Sequence, residues 1–295
     1  MSKVSIAILG LSGSLGKPTI EAINSGKFDD KIQFPVKAFS RQDRESTDRI
    51  KYIKSELTED TVDSISQELA GVDVIIEYLN PNPALLTIVE KVLEKVKPKL
   101  FIPSQFGIDI LLARQYIPDI LHMKYDHSEN VRAIGGIKVV DIVTNWFAED
   151  GLYLYEFVPH IGIDKETNTY LQIGDLDTTF PFTRVEDIGY IAIATATTPV
   201  EKLPDQIRVK SGDVSFREVI ERYEKNHNVK LEVGTKLTPE EAMKQLKEKH
   251  EKTGFNWGDF FFYLQTLAVA VGLSYDSKDN ELINPDESIW KWGVF

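Results

Sequence analysis

Over residues 4–143 short apolar runs alternate with segments of helical spacing. Val4–Leu9 has the length and continuity of a strand, and Lys17–Ser25 behind it reads as a helix. Pro18 is accommodated there, because the first helical turn needs no backbone donor. Gln33–Phe39 and Tyr52–Lys54 are the next strands, and Glu59–Leu69 is a helix with Thr58 as its N-cap. Val72–Tyr78 is nearly continuous in apolar residues, as expected of a strand buried on both faces. Asn82-Pro83 opens a helix through about Val96, Leu100–Ile102 is a strand, and a helix over Asp119–Ile134 leads through Gly135-Gly136 into a strand over Lys138–Val143. This alternation predicts an α/β architecture: a doubly wound parallel sheet with right-handed crossovers.

After about Trp146 the rhythm changes. Tyr153–Ile163, Tyr170–Ile173 and Thr179–Phe182 read as β segments separated by turns, followed by a helix over Asp187–Ala196, a strand over Ile207–Val209 and a helix over Phe216–Asn226. Thr238-Pro239-Glu240-Glu241 is a capping box with proline at the first helical position, starting a helix that runs to about Lys252. Asp259–Val271 is a last, very apolar helix. The pattern divides the chain into residues 1–150, carrying the parallel sheet, and residues 151–295, a smaller α+β lobe that lends some elements back to that sheet.

Composition narrows the partners. A net charge of −12 argues against a nucleic-acid backbone, which needs clustered positive charge. The apolar stretch around Leu267–Leu273 is too short to span a bilayer, and no signal-peptide pattern precedes Val4, so a cytoplasmic location is expected. The chain has no cysteine, which removes disulfides, thiolate metal sites and cysteine nucleophiles together.

Gly10, Gly13 and Gly16 lie between the first strand and the first helix, where free N–H groups and the positive end of the helix dipole favour an anion. The spacing G-x-x-G-x-x-G is one residue wider at its first step than the common dinucleotide fingerprint. A P-loop would need glycine at position 11 and Ser or Thr at 18, but Leu11 and Pro18 stand there, so Lys17 is not a phosphate-loop lysine. A dinucleotide is expected on this turn, Gly10-Leu11-Ser12-Gly13-Ser14-Leu15-Gly16. The second strand ends Ala38-Phe39-Ser40-Arg41, with Arg44 and Arg49 near. A carboxylate that would repel a 2′-phosphate is missing and a guanidinium that suits one is present, which favours NADP(H) over NAD(H).

These residues resemble the isoflavone reductase-like, NmrA-like group of atypical short-chain dehydrogenases. The glycine turn is similar to theirs, with Ser12 where threonine is usual, and Ser40-Arg41 falls at their NADP-phosphate arginine. Pro103-Ser104-Gln105-Phe106-Gly107 resembles their P-S-[EQ]-F-G turn, Thr144-Asn145-Trp146-Phe147-Ala148 their S-N-x-F-A segment, and Val185-Glu186-Asp187-Ile188-Gly189 their E-D-I-G helix start. The likeness runs from residue 4 to about 225 and implies a Rossmann-type sheet with a smaller α+β substrate lobe. It further implies that NADP(H) lies against the turn (Gly10, Ser12, Gly13, Ser14, Leu15, Gly16), against Ser40 and Arg41, and against Asn80. At the nicotinamide end it implies Gln105, Phe106, Asn145, Phe147 and Lys124.

The Y-x-x-x-K dyad of ordinary short-chain dehydrogenases is missing, since no tyrosine has a lysine four residues later. Reductase-like members are similar in using a lysine early in the helix after P-S-[EQ]-F-G, and Lys124 stands at that place as the catalytic candidate. Where these proteins often carry an arginine one turn later this chain has Ser128, with Arg132 the nearest arginine. Tyr125, adjacent to Lys124, points about 100° away from it on a helix. No HExxH or G-x-S-x-G occurs, His122 and His127 do not share metal-ligand spacing, and no metal is expected. Phe255, Trp257 and Phe260–Tyr263 read mainly as packing, with one or two rings able to line an apolar pocket. Two activities follow from the resemblance. One is an NADPH-dependent reductase of a small aromatic or conjugated carbonyl-type substrate, with Lys124 assisting the proton. The other is a non-catalytic NADP-binding redox sensor that acts through a protein partner.

Overall fold

The computed structural model describes residues 3–117, 119–149, 152–153 (backbone only) and 162–295. The first half builds β1 (Val4–Leu9), α1 (Gly16–Asn24), β2 (Ile32–Ser40), β3 (Ile50–Lys54), α2 (Val62–Glu68), β4 (Val74–Glu77), α3 (Pro83–Val96), β5 (Leu100–Ile102), α4 (Ile110–Ala113), α5 (Ile120–Ile134) and β6 (Lys138–Val139). The sheet is parallel with strand order β3-β2-β1-β4-β5-β6, the Rossmann order, with its switch point between β1 and β4. Strand alternation sorts the side chains: Ile6 and Ile8 face one helix layer, and Ala7 and Leu9 the other. The second layer is α2, α3 and α5, through Ile65, Val89, Val92 and Val131. Asn82 caps α3 as expected, its Oδ1 accepting from the N–H groups of Ala84 and Leu85 at 3.0 and 3.3 Å.

The expected strand Lys138–Val143 is two strands. β6 pairs with β5, and β7 (Asp141–Val143) pairs instead with β12 (Gln206–Arg208). The reason lies in the neighbour: β5 ends at Ile102, and Pro103 after it has no N–H to continue the ladder. Asp141 then turns to the chain at Asp205, whose carbonyl accepts its N–H at 3.0 Å. The predicted helix Asp259–Val271 also divides, into an α-helix over Phe260–Leu267 and a π turn over Ala268–Gly272.

The second half continues with β8 (Trp146–Glu149), β9 (Leu152–Tyr153), β10 (Thr169–Ile173), β11 (Thr179–Arg184), α6 (Val185–Thr197), β12 as above, β13 (Gly212–Ser215), α7 (Phe216–His227), β14 (Glu232–Leu237), α8 (Pro239–Thr253), α9 (Phe260–Leu267) and α10 (Lys278–Ile283). Of the segment read as β over 153–163, residues 154–161 lie outside the described residues. β13, β11, β8 and β9 form one sheet, and β10 pairs in parallel with β14. Their core gathers Trp146, Phe180 and Phe216, with ring centroids of Trp146 and Phe180 4.4 Å apart. The capping box of α8 forms: Thr238 N–H donates to Glu241 Oε2 at 2.8 Å, and Glu241 N–H to Thr238 Oγ1 at 3.2 Å.

Part of this half covers the first sheet. Ile188, Ile191, Ile283 and Trp290 share a core with Ile6, Ile8, Val74 and Ile76. Helix α6 meets α1 so closely that a Cβ on Gly189 would lie 2.1 Å from the carbonyl oxygen of Pro18. The E-D-I-G segment therefore has a packing reason for its glycine. Among the described residues no helix is long and apolar enough to cross a membrane.

Candidate functional site

At the carboxyl ends of β1, β2 and β4 lies a cavity of about 900 Å³, lined among others by Gly10, Ser12, Gly13, Ser40, Arg41 and Asn80. Six of the sequence-predicted residues are thus brought together. Gly10 has φ +89°, and a Cβ there would sit 2.9 Å from the Tyr78 carbonyl group at the end of β4. Gly16 is just as constrained, since its Cβ would fall 1.7 Å from the Leu11 carbonyl oxygen. Gly13 differs: its Cβ would make only an ordinary contact, 3.4 Å from the Gly10 carbonyl oxygen. Neither the fold nor the turn forbids a side chain at Gly13, but one would take up space in the cavity. Ser14, Leu15 and Gly16 are not on its wall. Leu15 packs against the core beneath, and no side chain caps the N-terminus of α1. A glycine wall beside an uncapped helix end fits a pyrophosphate.

The three arginines after β2 have different employment. Arg49 is bonded to Asp29 and to the Ile23 carbonyl group, and its guanidinium lies 4.2 Å from the Phe34 ring centroid. Arg44 lies over Tyr52. Arg41 is exposed on the cavity wall and has no hydrogen bond or ion pair among the described residues, so its charge is available to a ligand anion.

Beyond Leu79, which lines both spaces, is a second and much smaller chamber of about 10 Å³, room for about one water. Glu77, Pro103, Ser104, Gln105, Lys124 and His127 lie on its wall. Lys124 is half-buried, and its Nζ donates to the Ser104 carbonyl oxygen at 2.7 Å. Burial pulls the Lys124 pKa below that of an ordinary lysine, with the Glu77 carboxylate opposing the shift. Gln105 is buried and spends its amide on α5, donating to the Lys124 carbonyl oxygen at 2.8 Å and to Ser128 Oγ. Ser128 in turn donates to Asp141 at 2.9 Å, and Arg132 also binds Asp141. Ser128 therefore ties Gln105 to Asp141 of β7, and Arg132, one helical turn further on, binds the same carboxylate.

Phe106 packs on Tyr78 with ring centroids 5.3 Å apart, and Phe147 lies partly buried against the same core. Asn145 is buried with φ +55°. Its Nδ2 donates to the Leu273 carbonyl oxygen at 3.1 Å, while its Oδ1 has no hydrogen-bond partner. Tyr125 turns away from Lys124 and lies under the Arg114 guanidinium at 3.7 Å. Phe255 and Phe260 to Phe262 pack on the second core, Trp257 is exposed, and none of these rings lines the Lys124 chamber. Among the described residues no group of three or more His, Cys, Asp or Glu side chains could hold a metal ion.

Sequence reasoning missed Glu77, Glu90 and His127. His127 Nδ1 is 2.7 Å from Glu90 Oε1, and its Nε2 is 3.2 Å from Glu77 Oε2. Burial alone would lower the His127 pKa, but the bonds to the two carboxylates outweigh it and push it up to about 9. The available signal was a lone glutamate closing a strand otherwise buried on both faces.

A sequence model of the NmrA-like family matches residues 2–279. Among solved structures, an isoflavone reductase superposes with a TM-score of 0.70 at 17% identity, covering 95% of this chain and 92% of that one. Leucoanthocyanidin reductase from Vitis vinifera in binary complex with NADPH gives 0.68 at 15% identity, with 95% and 91% covered. AtPrR2 with NADP+ and (+)pinoresinol gives 0.67 at 15% identity, with 98% and 96% covered. At these identities the likeness is one of fold. A comparison with curated protein sequences finds no match.

Proposed function

The chain belongs to the NmrA-like family, and we propose that it is an NADP(H)-dependent reductase of a small aromatic or conjugated carbonyl-type substrate. The observation that carries this reading is the adjacency of the two spaces. Lys124 lines a chamber that shares Leu79 with the glycine-walled cavity, so a dinucleotide laid along that cavity from Arg41 would have its other end directed toward Lys124. The similar solved structures include proteins described as reductases and complexes with NADPH or NADP+, which supports the same choice.

In this reading Arg41 and Ser40 hold the 2′-phosphate, and the Ser12–Gly13 backbone and the end of α1 hold the pyrophosphate. NADPH, when bound, supplies the hydride. Gln105 fixes the loop after β5 against α5, so that Ser104 and Lys124 stay in register. Lys124 Nζ, now held by the Ser104 carbonyl oxygen, donates a proton to the substrate oxygen as negative charge develops there. The test is to mix purified protein with NADPH and conjugated ketones, quinones and aromatic ethers, and to follow the loss of NADPH absorbance. Turnover that survives Lys124→Ala unchanged removes Lys124 from the chemistry.

The small size of the chamber favours one second reading, a dinucleotide-binding regulator that works through a protein partner. Tight NADPH binding without turnover of any of these substrates would select it.

A further inference from the structure

Glu77 is fully buried, yet only one of its carboxylate oxygens is used. Oε2 meets His127, while Oε1 has no hydrogen-bond partner and Glu77 lines the chamber with Lys124. His127, itself buried, is held from the other side by Glu90, a partly exposed residue of α3 that also accepts from Asn130 Nδ2 at 3.2 Å. The edge of the Phe101 ring closes the cluster from β5. A buried histidine held between a fully buried glutamate and a partly exposed one is costly, and apolar residues would satisfy the packing at lower cost. An unpaired buried carboxylate oxygen adds to that cost. Such an arrangement beside a candidate reaction centre is where function is expected to account for the expense.

The groups around Lys124 are few. Glu77 approaches from β4, and His127 with Glu90 stands behind it. The Ser104 carbonyl group comes from the loop after β5, and one to two turns further along α5 Asp141 accepts from Ser128 and pairs with Arg132. Among the described residues Glu77 is therefore the negative charge on the chamber wall, and His127 is the cation that keeps it in place. We propose that Glu77, fixed by His127 and Glu90, is a positioning residue that sets whether the Lys124 amine carries its proton. The assignment rests on the reading of Lys124 given above, but its test does not require turnover. The Glu77 charge favours the ammonium form against desolvation, and His127 moderates that pull.

The experiment follows the ionisation of Lys124 by NMR in protein with isotope-labelled lysines, the signal being identified by its loss in Lys124→Arg. No cofactor or substrate is added. In Glu77→Gln the Lys124 midpoint should fall by about one pH unit, a tenfold change in its ionisation equilibrium. In His127→Gln, where Glu77 loses its counter-cation, the midpoint should rise. A midpoint unchanged in folded Glu77→Gln protein overturns the proposal. If that variant does not fold, His127→Gln decides: a midpoint that stays or falls overturns it. A Glu77-dependent midpoint in protein that turns over no substrate would sink the reductase reading and leave this assignment standing.

Discussion

The glycine-walled cavity and the Lys124 chamber lie along the same carboxyl edge of the central sheet, but they are made of different materials. The first is about 900 Å³, has glycines in its wall, and carries a guanidinium with no hydrogen bond or ion pair among the described residues. The second is far smaller, and most of its polar side chains are already engaged: Lys124 with the Ser104 carbonyl group, Gln105 with α5, His127 with two glutamates. Backbone and an unpaired charge can receive a ligand without rearrangement. A network in which Glu77 Oε1 alone of the buried polar atoms lacks a partner receives one mainly by exchanging partners. Under the proposed function, binding and chemistry therefore fall to separate sets of residues, and each can be damaged without the other.

Five perturbations test that contrast. Gly16→Ala drives a methyl into the Leu11 carbonyl oxygen and should cost about 3 kcal/mol, lowering the thermal midpoint by roughly 10 °C. Lys124→Ala should reduce kcat by roughly 10²- to 10⁴-fold while the NADPH Kd, read by fluorescence titration, changes little; a parallel loss of binding would erase the contrast. The third concerns pH. The folded pKa of His127 is raised from 6.5 to about 9, so its contribution is complete below the unfolded pKa and is lost as pH rises through the folded one. Urea unfolding should show stability falling by up to about 3 kcal/mol across that window, and His127→Gln should flatten the decline. Arg41→Glu should weaken NADPH roughly 10- to 100-fold relative to NADH; equal effects on both would refute the phosphate role. Gly13→Ala should leave the thermal midpoint within about 2 °C of the parent yet weaken dinucleotide binding, because only the cavity excludes its methyl.

Much of the fold could be read from local signals. β1 and β5 were plain as buried apolar runs, and α3 and α8 were announced by Asn82-Pro83 and Thr238-Pro239, whose caps form as expected. What escaped was decided by neighbours distant in the chain. β14 is exposed and polar along most of its length and becomes a strand only because β10 offers it a partner. The break between β6 and β7 depends on where β5 stops and β12 begins. The site divides likewise. The glycine turn and Arg41 were legible because a strand–turn–helix unit is contiguous. The Glu77–His127–Glu90 cluster was not, since its members come from three elements and each alone reads as an ordinary residue of its strand or helix.

The contact of Gly189 with the backbone of Pro18 has a consequence for the timing of synthesis. The glycine turn leaves the ribosome well before α6, Ile283 and Trp290, which cover one face of its sheet. Until they emerge, Ile6, Ile8, Val74 and Ile76 lack part of their cover and are open to wrong association. A chain released near residue 150 would carry the complete glycine turn on a half-covered sheet, and should depend on chaperones rather than accumulate as a working nucleotide-binding fragment.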